Sequence, residues 1–239
     1  MHLNYKNLAA FAANPQSRNK SASSASEVLS SYYMGLISSL IYEGEKITES
    51  EMAVISMSIG RWLKSRAKTK NVTPPVCDVG SIVQIEWGTN FSPEISYGHP
   101  AVIIEDFGKM VLVIPTTSTP SNVQDAYHPT DNPDGKWYYR KVGTAEGFAH
   151  ECALILNNAK ILSKSRIISV SGKISGDINH EQHVFREIRR TMLQKFFAKE
   201  WIEQQKIIKA LEDEKQKNKE LQEKYDKLLA ENEKLKSEI

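Results

Sequence analysis

Basic side chains without acidic neighbours are the residues of this chain that could bind a polyanion. Between residues 152 and 175 every charged residue is basic, and these residues are Lys160, Lys164, Arg166 and Lys173. A second run, from Arg61 to Lys70, also contains no acid. Such stripes attract phosphates, but runs of charge also serve simply to keep a surface solvated. Both interpretations stay open, because the net charge of the whole chain is only +2.

One histidine, His99, could move protons. The pKa of an imidazole lies near neutrality, so His99 can act as an acid or a base at physiological pH, although a histidine before a proline is often purely structural. The sequence lacks a dinucleotide-binding glycine motif, a P-loop, an H-E-x-x-H helix and paired C-x-x-C motifs. Cys77 and Cys152 do not make a disulfide framework and indicate reduced thiols. No cofactor and no metal site are expected.

The elements that must position these residues begin with strands between Gly80 and Ser118. Val83, Ile85 and Trp87 alternate with polar residues, which is typical of a half-buried strand. Two apolar, β-branched runs follow and are joined by a hairpin-like turn at residues 106–109. Three antiparallel strands with one long first loop are the way a small SH3-like barrel begins. Further strands are predicted at residues 136–142, 153–157 and 167–170, with a basic connection at 160–166.

Helices are predicted on both sides of this β part. Residues 1–24 lack apolar periodicity and predict a mobile start, whereas residues 25–75 predict a pair of helices. The second helix of the pair opens on a capping box from Thr48 to Glu51. The barrel itself is predicted to span residues 77–176.

After the barrel, residues 178–205 predict a helix that packs on it, with Asn179 as its N-cap. The apolar face of this helix would consist of Val184, Ile188, Met192, Phe196 and Phe197.

Residues 206–239 predict a coiled coil at the end of this long C-terminal helix. Leucine occupies the d positions 221, 228 and 235, and the a positions are Leu211, Asn218, Tyr225, Asn232 and Ile239. Glu214 interrupts the repeat at a d position. Leucine at d with asparagine at a favours a parallel two-stranded coiled coil. Antiparallel pairing, heteromeric pairing and a solvated single helix are the alternatives.

Several short motifs in the middle of the chain occur together in one known family. They are Gly80–Gly88, Glu94 followed five residues later by His99-Pro100, Ala101–Ile104, Pro115–Ser118, Gly147-Phe148 and Cys152–Arg166. With these motifs the chain resembles the MazF/PemK (Kid) family of toxin endoribonucleases over roughly residues 77–176. The resemblance implies an α+β fold built on an SH3-like, MazF/PemK-type antiparallel β-barrel. It also implies that the barrel dimerises and cleaves single-stranded RNA without a metal.

The resemblance further implies roles for single residues. In such cleavage a ribose 2′-OH attacks the adjacent phosphate, so protons must be moved and charge on the phosphate must be stabilised. His99 stands where the family usually has arginine, and Thr117 matches the family's threonine, which makes these two the catalytic residues. The substrate-binding residues would be Glu94, Ser118, Lys160 and Arg166. The acid and arginine that other members carry on the closing strand are matched here by Asn157 and Ile155, which cannot do acid–base work.

The function that follows is a metal-independent endoribonuclease toxin of a toxin–antitoxin or phage-defence module. Its partners would be RNA, an antitoxin (a protein) and a second copy bound through the barrel, the coiled coil or both. The chain has no apolar run long enough to span a membrane, so a cytoplasmic location is expected. The alternative is a non-catalytic barrel that binds RNA or protein and is oligomerised by the coiled coil, because histidine in place of arginine would equally mark a barrel that has lost activity. A coiled-coil scaffold with a passive barrel is a third possibility.

Overall fold

The computed structural model describes residues 4–16, 21, 24–67 and 75–237, with the side chains of 66–67 and 234–237 left out. The chain divides into two compact units. The first contains the N-terminal helices together with Trp87–Phe91 and Ser96–Gly98, and the second contains the rest of the described chain. Within the described ranges, no helix is both long enough and apolar enough to cross a membrane.

Three helices form most of the first unit: α1 (Tyr5–Ala13), α2 (Glu27–Gly44) and α3 (Glu49–Ala67). Helix α1 lies within residues 1–24, whose mobility stays a prediction, and its first turn is capped by Asn4, whose side chain accepts a hydrogen bond from the Asn7 amide at 3.1 Å. The capping box of α3 is confirmed. The Thr48 hydroxyl accepts from the Glu51 amide at 3.2 Å, and the Glu51 carboxylate accepts from the Thr48 amide at 3.0 Å.

The second unit is built on one mixed sheet. Its strands are β1 (Ser81–Glu86), β2 (Gly98–Asp106), β3 (Met110–Thr117), β4 (Ala126–Tyr127), β5 (Lys136–Val142), β6 (Cys152–Ile155), β7 (Lys160–Ser163) and β8 (Ile167–Lys173). Among the described residues these strands are ordered β4-β5-β6-β3-β2-β1-β8, and β7 pairs with β3 beside β6. A short helix, α4 (Pro120–Gln124), follows β3.

The predicted hairpin between β2 and β3 is confirmed. The strands are antiparallel, with Ala101 opposite Pro115 and Val102 opposite Ile114. The turn is closed by the Phe107 amide, which donates to the Met110 carbonyl at 2.9 Å. The predicted strand at 136–142 is confirmed as β5.

The predicted connection at residues 160–166 is wrong in its first half. Residues Lys160–Ser163 form strand β7, which pairs with β3 from Val113 back to Met110. The basic residues around Ile161 and Leu162 favoured a loop in the sequence analysis. These two apolar residues instead extend the pairing of β3 beyond the end of β6.

Helix α5 (Val184–Phe196) covers one face of the sheet. Its residues Phe185, Ile188 and Met192 join a buried cluster with Val102 and Ile114 of the central hairpin. The predicted apolar face is therefore wrong at its end, because Phe196 and Phe197 are 43% and 56% exposed. Their place in the core is taken by Phe185, which lies one turn before Ile188.

The start of α5 also differs from the expectation. The helix is capped by His183, whose Nδ1 accepts a hydrogen bond from the Phe185 amide at 3.1 Å, and not by Asn179. The other ring nitrogen, Nε2, contacts the Ser175 carbonyl oxygen at 2.7 Å. Since Nδ1 is the acceptor, Nε2 carries the hydrogen and donates it. The imidazole thus joins the helix start to the segment that follows β8.

Two ion pairs hold α5 on the sheet. Arg140 of β5 is 5% exposed and donates from Nε and one terminal nitrogen to both carboxylate oxygens of Glu187, each at 2.8 Å. Arg189 donates to Glu105 of β2 at 2.7 Å.

Helix α5 ends at Phe196, and after Phe197 the chain continues as α6 (Ala198–Ser237), a helix of 40 residues. The predicted boundary at residue 206 therefore lies inside a continuous helix. Every residue from Ile202 to Glu233 is exposed. Of the predicted heptad positions, Ile239 and the side chain of Leu235 lie outside the described residues.

Candidate active site

The topology brings His99 and Thr117 to the same end of the sheet. Strand β2 begins at Gly98 and β3 ends at Thr117, and the last bonded pair of the hairpin is Ala101 opposite Pro115. Continuing this register by two residues places His99 directly opposite Thr117. Residues directly opposite in an antiparallel pair point to the same face, with Cβ atoms about 5 Å apart. The pairing stops being hydrogen-bonded here because Pro100 and Pro115 have no amide hydrogen.

These two side chains lie on the face that helix α5 does not cover. Along β3, Val113, Pro115 and Thr117 share one face, whereas Ile114 lies on the other with the α5 cluster. The centre of the first face is closed, because Ile103 and Val113 are both fully buried. His99 and Thr117 are only partly buried, so polar groups become accessible where this face reaches the end of the sheet.

The surroundings of His99 favour the neutral form of its imidazole. Burial lowers the pKa of its side chain, because the charged form loses hydration. Within the described part of the chain, no hydrogen bond or ion pair opposes this effect. A neutral imidazole can accept a proton, which arginine at this position could not do.

Thr117 and Ser118 end β3 in a hydroxyl-rich turn. The Thr117 hydroxyl accepts from the Thr119 amide at 3.2 Å and donates to the Thr119 hydroxyl at 3.0 Å. Ser118 is exposed beside it. The hydroxyl of Thr117 thus points toward Thr119 in this structure, and the residue is only partly buried.

Glu94 and Lys160 meet, although 66 residues separate them. The Lys160 ammonium group donates to a Glu94 carboxylate oxygen, with side chains 35% and 46% exposed. The same loop is held a second time, since the Asn158 side chain accepts from the Ile95 amide at 3.2 Å. Lys160 lies opposite Val113, and therefore about 13 Å along β3 from Thr117, on the same face.

Arg166 lies at the same end of the sheet as His99. It is exposed and donates to the Glu86 carbonyl oxygen at 3.2 Å, just beyond the pair of Ile85 with Ile167. Strand β1 separates β8 from β2, so the backbones of Arg166 and His99 are about 10 Å apart.

The basic stripe is largely neutralised by carboxylates from elsewhere in the chain. Lys160 pairs with Glu94, and the two other lysines pair at 2.7 Å, Lys164 with Asp106 and Lys173 with Asp78. Among the described residues, only Arg166 of this stripe has no carboxylate partner. The ion pairs of the second basic run, from Arg61 to Lys70, cannot be compared in the same way, because Lys68 and Lys70 lie outside the described residues.

Sequence reasoning did not single out Asn158, which holds the Glu94 loop against the segment between β6 and β7. An asparagine two residues before a short, partly exposed strand carries no distinctive signal, and only its partner 63 residues away reveals the role. Cys152, in contrast, is a buried core residue as expected. Burial, with a smaller contribution from the charge of Glu146, raises the pKa of its thiol to about 11, so it is no nucleophile at neutral pH.

Comparisons with known proteins do not assign this chain to a family. No protein-family model matches the chain, and no curated protein matches it. Among solved structures, a crystal structure of MazF (Form-I) from Deinococcus radiodurans aligns with 51% of this chain and 96% of its own, at 14% identity and a TM-score of 0.35. A likeness this weak carries neither fold nor function from one protein to the other.

Proposed function

We propose that this chain is a metal-independent endoribonuclease of the MazF/PemK type, with its sheet closing as an SH3-like barrel. The RNA would be single-stranded, and the protein would act as the toxin of a toxin–antitoxin or phage-defence module. The proposal rests on the register of the β2–β3 hairpin, because continuing it two residues beyond the pair of Ala101 with Pro115 sets His99 opposite Thr117, and on the burial that lowers the pKa of His99. The sequence motifs around these two residues support the same conclusion.

The proposed reaction needs a neutral base close to a hydroxyl donor. His99 accepts the proton of the ribose 2′-OH, whose oxygen attacks the adjacent phosphorus. The bond from phosphorus to the 5′ oxygen breaks, and the resulting imidazolium returns its proton to that leaving oxygen. The products are a 2′,3′-cyclic phosphate and a 5′-hydroxyl. The Thr117 hydroxyl turns from Thr119 to a non-bridging phosphate oxygen and stabilises the added charge.

The cations would bind the RNA on either side of the broken bond. Arg166 has no carboxylate partner in the described part of the chain. It is the nearer of the two cations, and its guanidinium can hold a phosphate by two parallel hydrogen bonds. Lys160 is too far along β3 to reach the scissile phosphate and would bind a neighbouring one after Glu94 moves away. Ser118 lies beside Thr117 and would add a hydroxyl to the same phosphate. An antitoxin protein would neutralise the enzyme by covering this end of the sheet.

A second candidate function is a binding module without catalysis. The ion pairs favour the form of this module that binds protein, because three lysines of the stripe already have carboxylate partners and leave few free charges for RNA. In this case the same end of the sheet would bind RNA or protein, and α6 would supply oligomerisation.

Incubating the purified full chain with single-stranded RNA in EDTA tests the proposal. We expect cleavage that leaves 5′-hydroxyl and 2′,3′-cyclic phosphate ends. His99→Ala and Thr117→Val should each slow it by about a hundredfold or more, because positioned acid–base groups contribute factors of this size.

Matched controls are His180→Ala and Thr130→Val, which change the same residue types at exposed positions that have no role in the proposed site. Both should cleave like the unaltered chain, and all four variants should unfold at similar temperatures. Retention of RNA without cleavage would establish the binding module instead. Unchanged cleavage by both site variants would show that His99 and Thr117 are not catalytic.

A further inference from the structure

Helix α6 carries a row of apolar side chains that the monomer leaves in water. Every residue from Ile202 to Glu233 is exposed, so nothing in the described chain covers this part of the helix. Isolated helices gain little stability from their own hydrogen bonds, and helices in proteins are held mainly by packing of an apolar face. A helix of 40 residues that lacks such packing needs a partner.

Five of the exposed apolar residues fall on one seam, and Ile208 and Leu229 flank it at e positions. In the heptad frame that places Leu221 and Leu228 at d, Ile207 also occupies a d position, while Leu211 and Tyr225 occupy a positions. These five side chains are between 51% and 68% exposed. The outer face is polar and is held by hydrogen bonds one turn apart, from Gln216 to Glu220 and from Gln222 to Asp226. The division of the helix into an apolar seam and a polar outer face is that of a coiled coil.

The two asparagines of the seam indicate which partner fits. Asn218 and Asn232 both occupy a positions, and in a parallel, in-register pair each meets its own copy and can exchange a hydrogen bond with it. In antiparallel pairs a positions meet d positions. Most of these alignments place Asn218 against leucine or isoleucine. The alignment that instead places it against Glu214 brings Lys215 and Lys217 against their own copies. A buried asparagine opposite an aliphatic side chain loses its hydrogen bonds to water without replacement.

The charges that flank the seam agree with pairing of identical helices. In a parallel pair, each g position faces the e position of the next heptad on the partner. Glu231 then faces Lys236, Lys217 faces Gln222 and Lys224 faces Leu229, so these flanking pairs set no like charges against each other. From Lys206 to the end the chain has nine lysines and nine acidic residues, and a second copy is not repelled.

We propose that α6 pairs with the same helix of a second copy of this chain, as a parallel, in-register two-stranded coiled coil from Ile207 to Leu235. The paired segment is about 42 Å long. This inference goes beyond the proposed function and does not depend on RNA cleavage. Glu214 at d opposes its own copy and limits the affinity, so the coiled coil forms reversibly.

Cysteine cross-linking of the full chain tests both the partner and the orientation. In a background of Cys77→Ser and Cys152→Ser, Asn218→Cys places a thiol in the seam. We expect mild oxidation to convert most of this variant into a species of twice the chain mass on a non-reducing gel. Adding Leu221→Lys and Leu228→Lys to the same chain should abolish the cross-link, because charges then occupy two d layers.

The matched control is Ala230→Cys in the same background, which places the thiol on the outer face of α6. This variant should stay at the mass of one chain. The proposal is overturned if Asn218→Cys also stays single, or if both variants cross-link equally. This outcome is distinct from a loss of RNA cleavage, which the cross-linking does not measure.

Discussion

At the scale of single residues, the imidazole of His99 decides what chemistry this end of the sheet can perform. A guanidinium would supply a permanent positive charge and two parallel hydrogen bonds for a phosphate. The half-buried imidazole supplies neither at neutral pH, but it supplies a base with a low pKa. In the proposed reaction, the protein would therefore have a proton acceptor at this position and would take its positive charge from Arg166 and Lys160.

The proposed role of His99 as a base predicts how RNA cleavage depends on pH. His99 is active as a base only when neutral, so cleavage should fall as the pH drops through its lowered pKa and should be level at neutral pH. Measuring the single-turnover rate from acid to neutral pH checks this expectation. His99→Arg should remove the acid limb and most of the rate, since arginine does not deprotonate in proteins. A rate that instead rises as the pH falls below neutral would contradict a neutral His99.

At the scale of elements, the contact of α5 with the sheet depends on a charged pair as well as on the apolar cluster. Arg140 is nearly fully buried, while Glu187 keeps a third of its side-chain surface in water. The two partners are therefore not equivalent, because only the guanidinium would be left inside the protein without a counter-charge.

We predict that substituting Glu187 and substituting Arg140 lower the free energy of unfolding by different amounts. Glu187→Ala should lower the free energy of unfolding by about 3 kcal/mol, since it leaves a buried charge unpaired. Arg140→Met should cost less, because methionine keeps most of the packed stem and Glu187 can regain water. Urea denaturation of both variants measures the difference. Equal losses, or a greater loss for Arg140→Met, would show that packing of the stem outweighs the charge.

The sequence predicted those elements whose formation depends on residues close together in the chain. The hairpin of β2 and β3 follows from two β-branched runs, and the start of α3 follows from Thr48 and Glu51. The start of α5 was not predictable, because His183 caps the helix only with Ser175 already in place. Strand β7 was missed because its pairing with β3 depends on where β6 ends.

For the site, the sequence motifs singled out His99 and Thr117, and only the register of the hairpin places one opposite the other. The ion pairs of Lys160 and Arg140 join residues 66 and 47 positions apart, and no periodicity records such partners.

At the scale of the whole molecule, most of α6 contributes no buried surface to the rest of the chain. The residues from Ile202 to Glu233 are exposed and none belongs to the core cluster, so removing this segment deletes no part of that cluster. The sheet, α5 and the candidate site all precede α6.

A chain that ends at residue 205 should therefore fold and still cut RNA. We expect its cleavage rate, per site and with saturating RNA, to stay within about threefold of the full chain. Its thermal unfolding should not change with the loss of an exposed segment. Rate assays and calorimetry on the two chains give the comparison. Complete loss of activity in a folded truncated chain would favour a scaffold in which the sheet is passive.

The pairing of Lys160, Lys164 and Lys173 with carboxylates has a consequence for how RNA affinity responds to ionic strength. Proteins that bind nucleic acid with free cations displace the ions condensed on the phosphates, and their affinity falls steeply as salt is added. Here each lysine must first exchange one anionic oxygen for another, an exchange in which added salt weakens both the contact that is lost and the contact that is gained. The dependence of binding on salt should accordingly be shallow, and the part that remains would come chiefly from Arg166.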